Sequence, residues 1–448
     1  MSWFEHALDE TVDWSNYESL ETFRSHIDAE WIEQALAVTG TATLRRRKLP
    51  AEQVIWLVLG MALCRNQPIG TVVSRLDLVL PEHCGSTEIA SSAVTQARQR
   101  LGAAPMRWLF ETSGTKWARE SASELDWRGL SLFAIDGTTL RIADSDENRE
   151  HFGLASGGNR GLSGYPLVRI AALLAVRSHL LLAAEFGPYA QSEHALCESL
   201  WCQIPDHSLT IVDRNFLAAK LLLNLESQGN NRNWLTRAKT TTKWKILASF
   251  GRYDKLVELN VSSEARRKTP SLPESFTARA ISYCPSGAKT RQWLLTSLRD
   301  SKSYPAQEVI ALYHERWEIE LAYDELKTHM LEAKETIRSR TVECVAQELW
   351  GILLTYNLIR LEMQAIAHEA GVAPVRISFL EALRFIRTEW EWCALASPGA
   401  VPKKLRDMRL CIRRYILPPR RSKRRFPRAV KIKMSNYPKK PRTTTGDA

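Results

Sequence analysis

The sequence predicts a mixed α/β core with a strand-rich insertion, placed between an all-helical N-terminal region and a helical C-terminal region. Helical apolar spacing extends from residue 18 to about 120, and short apolar or alternating runs replace it from about 130. Helical spacing returns after Pro305. With 448 residues, 44% of them apolar and 25% charged, the chain suits about two to four globular domains.

The N-terminal region, residues 1–120, consists of helical segments separated by Pro, Gly and Ser breaks. One of them, Ser91–Gly102, opens with two serines and is expected to expose Gln96, Arg98, Gln99 and Arg100. A short polar helix of this kind, following another helix, suits reading of the DNA major groove. A solvated helix face has the same composition, so both interpretations stay open.

Strands and helices follow one another through residues 121–235. The runs SLFAID, YPLVRIAALLAV, HLLLAAEFG and HSLTIVD are predicted strands, whereas SEHALCESLWCQI and NFLAAKLLLNLESQG are predicted helices. Residues 236–300 return to strand signals with basic and polar turns, which predicts a strand-rich insertion. A long helix opens at Pro305, and two more helices complete residues 301–397.

Membrane and secreted proteins are the classes that the sequence argues against. The longest nearly uninterrupted apolar run, Val54–Leu63, is about half the length that spans a bilayer. The N-terminus carries acidic residues and no basic segment of the kind that opens a secretory signal. The eight cysteines are scattered and form no CxxC pair. We therefore expect a cytoplasmic protein with reduced cysteines and no membrane partner.

The positive charge of the chain lies almost entirely at its C-terminal end. Residues 401–448 hold 17 Lys and Arg against two Asp, a net charge of +15, so the rest of the chain carries −4. Residues 398–448 are therefore predicted to form a basic, disordered tail that is attracted to polyanions. Nucleic acid is the favoured partner because many phosphate contacts add up to a large affinity. A purely solubilising tail is the alternative.

Three acidic residues are the candidates for metal-dependent chemistry. Asp136 and Asp213 lie at the carboxyl ends of the predicted strands SLFAID and SLTIVD, where ligands bind in α/β sheets. Glu320 adds a carboxylate from the long helix. Carboxylate oxygens suit Mg²⁺ or Mn²⁺, and two such ions about 4 Å apart promote phosphoryl transfer. Taken singly, Asp136 also suits a strand-ending turn and Asp213 a helix N-cap.

Other carboxylates compete for the same roles. Asp144, Asp146 and Glu147 lie in the polar stretch ADSDENRE, for which a solvated loop is the expected setting. Glu318 and Glu325 lie about 140–160° away from Glu320 around an ideal helix, which argues against them. Asp324 lies on the correct face of the helix and remains a competitor.

The segment YHERWEIELAYDELK places four chemically distinct groups on one helix face. Tyr313, Arg316, Glu320 and Lys327 fall within an arc of about 60° on an ideal helix. Packing of a core does not require a hydroxyl, a guanidinium, a carboxylate and an ammonium in one line. The stripe instead suits a site where Glu320 meets metal and Arg316 and Lys327 meet phosphates. An amphipathic surface helix is the alternative.

The pattern Y-x2-R-x3-E-x6-K is similar to the signature of bacterial insertion-sequence transposases of the DDE class, in the insertion-element-four family. The segments IDGTTL and VDRNF resemble the first and second aspartate motifs of that family. Asp136 and Asp213 are 77 residues apart, and Glu320 follows 107 residues later. The resemblance implies a ribonuclease-H-like catalytic core and identifies residues 236–300 with the strand-rich insertion of the family.

The segment RQWLLTSL resembles a further family motif, whose Trp stacks on a base flipped out of the DNA at the transposon end. The resemblance therefore implies that Trp293 contacts DNA. An exposed indole is a good stacking platform for an unstacked base. A Trp packed in the core on a strand is the alternative.

The resemblance implies a DNA transposase that moves an insertion sequence by cutting and pasting, through a hairpin intermediate. It assigns Asp136, Asp213 and Glu320 to catalysis and to binding of two Mg²⁺ ions, with Mn²⁺ as a substitute. Tyr313, Arg316 and Lys327 would contact DNA together with Trp293. Residues 1–120 would bind the element end.

The expected partners are double-stranded DNA at the terminal inverted repeats, target DNA and a second copy of the chain in the synaptic complex. The expected location is the bacterial cytoplasm, in association with the nucleoid. Two alternatives stay open: a nuclease without strand transfer, and a catalytically silent or domesticated sequence-specific DNA-binding protein.

Overall fold

A mixed β-sheet runs through the middle of the chain. The computed structural model describes residues 26–41, 49–75, 90–156, 162–285, 290–332, 336–393 and 401–418. Its strands are β1 (Ser131–Ile142), β2 (Leu154–Ser156), β3 (Leu162–Ala175), β4 (Leu181–Pro188), β5 (Ser208–Val212), β6 (Arg232–Arg237), β7 (Lys245–Gly251), β8 (Asp254–Asn260), β9 (Ser275–Tyr283), β10 (Gln292–Thr296) and β11 (Thr336–Ile337). In this part of the chain they form one 11-stranded sheet of order β2-β3-β1-β5-β6-β10-β9-β8-β7, with β11 on β1 and β4 on β3.

The α/β core that the sequence predicts is confirmed. β1 pairs antiparallel with β3 and parallel with β5, and β5 pairs parallel with β6. All five residues of β5 are buried, and so are residues 132–135 of β1. Strands covered on both faces are continuously apolar in this way. The mixed sheet agrees with a ribonuclease-H-like arrangement.

The insertion extends the same sheet from β6 by antiparallel pairing of β10, β9, β8 and β7. The sequence did not predict β7, because every residue of that strand is exposed and no apolar alternation marks a buried face. The predicted helix SEHALCESLWCQI is instead two short helices that meet at Cys197.

Helices surround this sheet. They are α1 (Ala29–Val38), α2 (Ala51–Leu63), α3 (Ile69–Arg75), α4 (Ser91–Leu101), α5 (Ala104–Glu124), α6 (Asp146–Phe152), α7 (Glu193–Leu196), α8 (Glu198–Trp201), α9 (Ala219–Ser227), α10 (Ser263–Lys268), α11 (Ala306–Glu315), α12 (Trp317–Asp324), α13 (Val342–Ala370), α14 (Phe379–Cys393) and α15 (Val401–Ile412). None of these described helices is both long and apolar enough to cross a bilayer.

Helix α13 packs against helices from both the N-terminal and the C-terminal parts of the chain. Its N-terminus is capped by Thr341, whose hydroxyl accepts from the Cys344 N–H, and it ends at Gly371 with φ +64°. α2 and α5 pack against it, and α5 also packs on β4. The N-terminal helices therefore share one hydrophobic core with the sheet and the C-terminal helices. The start of the first predicted helix, residues 18–25, lies outside the described residues.

The prediction that Arg98 is exposed is wrong. Arg98 of α4 is buried, because its guanidinium donates to Gln347, Ser339 and the Cys344 carbonyl oxygen. Gln96, Gln99 and Arg100 on the same helix are exposed, as expected.

The chain after residue 398 was predicted to be disordered, yet it contains α15. Buried Met408 and Ile412 recur at helical spacing on this helix, and Arg409 forms an ion pair with buried Glu362. The tail beyond residue 418 lies outside the described residues.

Candidate active site

The two aspartates lie side by side on adjacent parallel strands. The register of β1 and β5 runs from Ser131 opposite Ser208 to Ile135 opposite Val212, and each aspartate follows at the next position. Asp213 ends β5 and also caps the 3₁₀ turn that follows, as its side chain accepts from the Arg214 N–H. The expected convergence of the two carboxylates rests on this register.

Asp136 does not end its strand, contrary to the prediction. It is the sixth of the 12 residues of β1, which continues to Ile142. The strand is longer than predicted because β3 and the short strand β11 keep pairing with it after the contact with β5 has ended. Asp136 therefore marks only the end of the pairing with β5. Its Oδ1 accepts from the Gly137 N–H at 2.9 Å.

The predicted long helix consists of α11, α12 and a π-helical turn, Glu325–Met330, and it docks against β1. The Tyr323 hydroxyl donates to the Asp136 carbonyl oxygen at 2.7 Å, and Lys327 Nζ donates to Thr138 Oγ1 at 3.4 Å. These two bonds fix the helix beside the first aspartate. Single π turns occur frequently at functional sites.

Arg316 is a cation that interacts with all three predicted carboxylates. Its Nη2 donates to Glu320 Oε1 at 2.8 Å. Burial disfavours the guanidinium charge, but the bond to Glu320 and the charges of Tyr313, Glu320 and Asp213 raise the pKa of Arg316 above its ordinary value. The same guanidinium lowers the pKa of Asp136. Arg316 is thus a shared counter-ion of all three predicted carboxylates.

Tyr313 is buried next to this guanidinium. Burial raises the pKa of its hydroxyl, with Arg316, Arg237 and Asp213 as the charged neighbours. Its ring centroid lies 6.4 Å from that of Tyr283 on β9. The hydroxyl therefore stays protonated near neutral pH and is available as a donor at the edge of the site.

Trp293 is the one predicted site residue that lies apart. Side chains alternate along a strand, so Trp293 points to the opposite face of β10 from Gln292. The Gln292 side-chain oxygen accepts from Arg237 and from Tyr283, on the face where Tyr283 meets Tyr313. The half-buried ring of Trp293 lies 5.5 Å from Trp244. The other six predicted residues lie on the segments that meet where the β1–β5 pairing ends.

The competing carboxylates are held elsewhere. Asp144 forms an ion pair with Arg149, and Glu147 accepts from the Val342 N–H at the start of α13. Asp324 is exposed and accepts from the Thr328 hydroxyl at 2.6 Å. Asp144 lies exposed in the irregular stretch before α6, as predicted, whereas Asp146 and Glu147 are exposed residues of α6 and not of a loop.

Glu318 and Glu325 point into the protein from the inner face of the catalytic helix. His179 Nε2 lies 2.8 Å from Glu318 and its Nδ1 lies 3.2 Å from Glu325. Tyr356 and Arg360 of α13 also bind Glu325. Burial alone would raise the pKa of Glu325, but the Arg360 and His179 charges hold it at about 2. This buried network holds the inner face of the helix. Glu318 and Glu325 therefore face away from Glu320, as predicted.

Glu193, a residue that the sequence analysis missed, contacts Asp136. Burial raises the pKa of Asp136 to about 7; the Gly137 N–H opposes this rise, and the charge and hydrogen bond of Glu193 add to it. The only signal in the sequence is Gly137 itself, because a Cβ at that position would lie 2.7 Å from Glu193 Oε1.

The donor chemistry fits a hard divalent cation. Asp136, Asp213, Glu193 and Glu320 offer carboxylate oxygens, and burial disfavours the ionised form of Asp136 unless a cation is close to it. Glu320 is bound to Arg316, and no group of three His, Cys, Asp or Glu side chains in the described ranges is already arranged around one point. The predicted carboxylates are thus the right ligands, with Glu320 held by an internal cation.

Comparisons with known proteins give two family matches. Residues 17–111 match the family described as insertion element 4 transposase N-terminal, and residues 127–358 match the transposase DDE domain. The chain is 38% identical over 434 residues to the transposase InsG for insertion sequence element IS4 of Escherichia coli (strain K12), with 96% of both chains covered.

Two further proteins are similar. The putative transposase InsZ of Escherichia coli (strain K12) is 42% identical over 247 residues, which cover 54% of this chain and 79% of InsZ. A piggyBac transposase, solved by cryo-EM as a synaptic complex with hairpin DNA, matches with 14% identity and a TM-score of 0.40, over 90% of this chain and 86% of that one. The DDE-domain match contains Asp136, Asp213 and Glu320, and the chain therefore belongs to the IS4 family of DDE transposases, enzymes that cleave DNA and transfer its strands.

Proposed function

We propose that this transposase moves its insertion sequence by cutting and pasting, with Asp136, Asp213 and Glu320 as its catalytic carboxylates. The supporting observation is the placement of both aspartates at the end of the β1–β5 pairing, with the Glu320 helix held there by the bond from Tyr323 to the Asp136 carbonyl oxygen. Helix and strands then present three carboxylates to one DNA phosphate.

The three carboxylates would hold two Mg²⁺ ions, or Mn²⁺ as a substitute. Bound there, such ions supply an activated attacking oxygen and stabilise the leaving oxygen. The chain's own groups position the DNA. Lys327 is bonded to Thr138 on β1, and Tyr313 lies beside Arg316 at the other end of the stripe, so these groups take phosphates on either side of the cut.

The proposed reaction order has four steps. Water cuts one strand at the transposon end, and the freed 3′-hydroxyl attacks the opposite strand to give a hairpin. Water reopens the hairpin, and the released 3′ ends attack target DNA. Trp293 stacks on a base flipped out at the hairpin stage, paired with the neighbouring ring of Trp244.

The DNA partners are the terminal inverted repeats and the target. Residues 1–120 bind the element end, and the exposed Gln96, Gln99 and Arg100 of α4 offer donors for base edges and phosphates. Two copies of the chain hold the two ends in the synaptic complex. The protein acts at the bacterial nucleoid, where both DNA partners are found.

The test uses purified protein, Mg²⁺ and duplexes that carry the DNA flanking its own gene. The native protein should cut at a discrete inverted-repeat boundary and join the cut 3′ ends to a second DNA. Glu320→Gln should bind the same duplexes but leave them uncut, because it removes a charged ligand without changing side-chain size. Asp324→Asn, an exposed change on the same helix, is the matched control and should cut normally.

Retained cutting by Glu320→Gln would refute the assignment of the third carboxylate. Cutting without any sequence preference, or without joining, would favour a nuclease. Binding without cutting in either Mg²⁺ or Mn²⁺ would identify a silent DNA-binding relative.

A further inference from the structure

The fold places the Glu193 side chain against Asp136. It opens α7, whose first turn is capped by Ser192 through a bond to the Ala195 N–H. Its Oε1 lies 2.7 Å, and its Cγ and Cδ lie 3.0 Å, from the place where a Cβ of Gly137 would stand. Gly137 lies within β1, where glycine weakens a strand. Its absent side chain is the space that the Glu193 side chain fills.

The Asp136–Glu193 pair differs from the other buried carboxylates in its partners. Glu318 and Glu325 are paired with His179, Glu325 also with Arg360, and two further glutamates pair with arginine: Glu348 with Arg65 and Glu362 with Arg409. Within the described ranges, no Lys, Arg or His forms an ion pair with Glu193 or Asp136. The nearest guanidinium, that of Arg316, acts on Asp136 but donates to Glu320.

Asp136 and Glu193 are both half-buried. Two carboxyl groups in contact, partly removed from water and without a paired cation, are unfavourable when both are ionised. A positive ion from outside the chain removes that cost. Two or more carboxylate oxygens at one place are the ligands that Mg²⁺ and Mn²⁺ prefer. The other glutamates named above each have a His or Arg partner from the chain itself, whereas the Asp136–Glu193 pair has none in the described ranges.

We propose that Glu193 is a further carboxylate ligand of the divalent-cation site that contains Asp136. The inference rests on the proposed function, because it takes Asp136 as a metal ligand. It adds to the three predicted carboxylates a fourth, from the segment between the two aspartates. Gly137 is then required in the segment IDGTTL because it admits this ligand.

Binding of Mn²⁺ to the full-length protein without DNA tests the proposal, measured by the loss of the free Mn²⁺ signal in electron paramagnetic resonance. Glu193→Gln keeps the side-chain size and should weaken binding about tenfold or more. Glu198→Gln is the matched control, since Glu198 is exposed on the next short helix and pairs with Lys220, and it should bind as the native protein does.

Gly137→Ala provides a second variant that leaves every carboxylate in the chain. Its new Cβ displaces the flexible end of Glu193, so it should also weaken Mn²⁺ binding. Combining it with Glu193→Gln should add little, because both changes remove the same ligand. Circular dichroism checks that each variant is folded.

The outcomes separate this proposal from the one on which it rests. Weaker binding in both single variants, with no further loss in the double variant, supports Glu193 as a ligand. Native binding by Glu193→Gln together with loss of binding in Asp136→Asn overturns the role of Glu193 and leaves the proposed active site standing. Native binding by Asp136→Asn, Glu320→Gln and Glu193→Gln alike overturns both.

Discussion

The buried carboxyl of Asp136 should give the metal-free protein a stability that falls as the pH rises. Burial raises the pKa of Asp136 from 3.8 to about 7 in the folded chain, with Glu193 adding to the rise. Because the folded-state pKa exceeds the unfolded value, this group stabilises the fold in acid, and that stabilisation is lost as the pH rises towards 7. From about pH 5 to the folded-state pKa of about 7 the pH rises by two units, and the free energy of unfolding falls over that interval. The loss between about pH 5 and about pH 8 is therefore about 3 kcal/mol. Asp136→Asn carries no such charge and should escape the loss.

Urea unfolding in the presence of a chelator, at about pH 5 and about pH 8, measures this difference. Relative to the native protein, Asp136→Asn should gain about 3 kcal/mol between the two conditions. Asp146→Asn, which removes an exposed carboxylate at the start of α6, is the control and should follow the native protein. If the free energy of unfolding changes equally with pH in the native protein and in Asp136→Asn, the Asp136 carboxyl does not lie in a site that disfavours its charge.

Three further predictions follow from the contacts of the site. Arg316→Ala should tighten Mn²⁺ binding about fivefold, as loss of a partly exposed ion pair worth about 1 kcal/mol frees Glu320, while DNA cleavage falls; weaker Mn²⁺ binding would contradict the counter-ion role. Trp293→Ala should slow hairpin formation more than first-strand nicking in gel assays, and equal loss of both steps would count against base stacking. His179→Asn should lower the free energy of unfolding by about 3 kcal/mol in urea titrations because it leaves buried carboxylates short of a partner, whereas His207→Asn, an exposed His with a similar positive φ, should change little.

The sequence was most informative where one strand or one helix face carries the pattern. Alternation and apolar runs predicted the core strands, and the 3.6-residue period separated Glu320 from Glu318 and Glu325. Sequence patterns failed where a residue's contact partner lies far away in the chain. Arg98 was predicted to be exposed because its hydrogen-bond partners, Gln347 and Ser339, lie more than 200 residues later.

Two other elements show why pattern alone was not enough. β7 has no buried face, so it owes its strand conformation to pairing with β8 and leaves no alternation to detect. α15 was hidden by its lysines and arginines, although Met408 and Ile412 supply the apolar contacts that dock it. In both cases the tertiary partner decided the structure.

The electrostatics of the catalytic helix explain why its charged residues divide into two sets. On the inner face, Glu318 and Glu325 bond to His179 and Arg360, which hold the helix on the β3–β4 turn and on α13. On the outer face, the Arg316 guanidinium interacts with Glu320, Asp213 and Asp136 together. Burial disfavours the ionised form of Asp136 at the same place. A single guanidinium cannot satisfy three separate carboxylates at short range. The inner face therefore fixes the helix, and under the proposed function the outer face would offer its carboxylate oxygens to a cation and Arg316 to a phosphate.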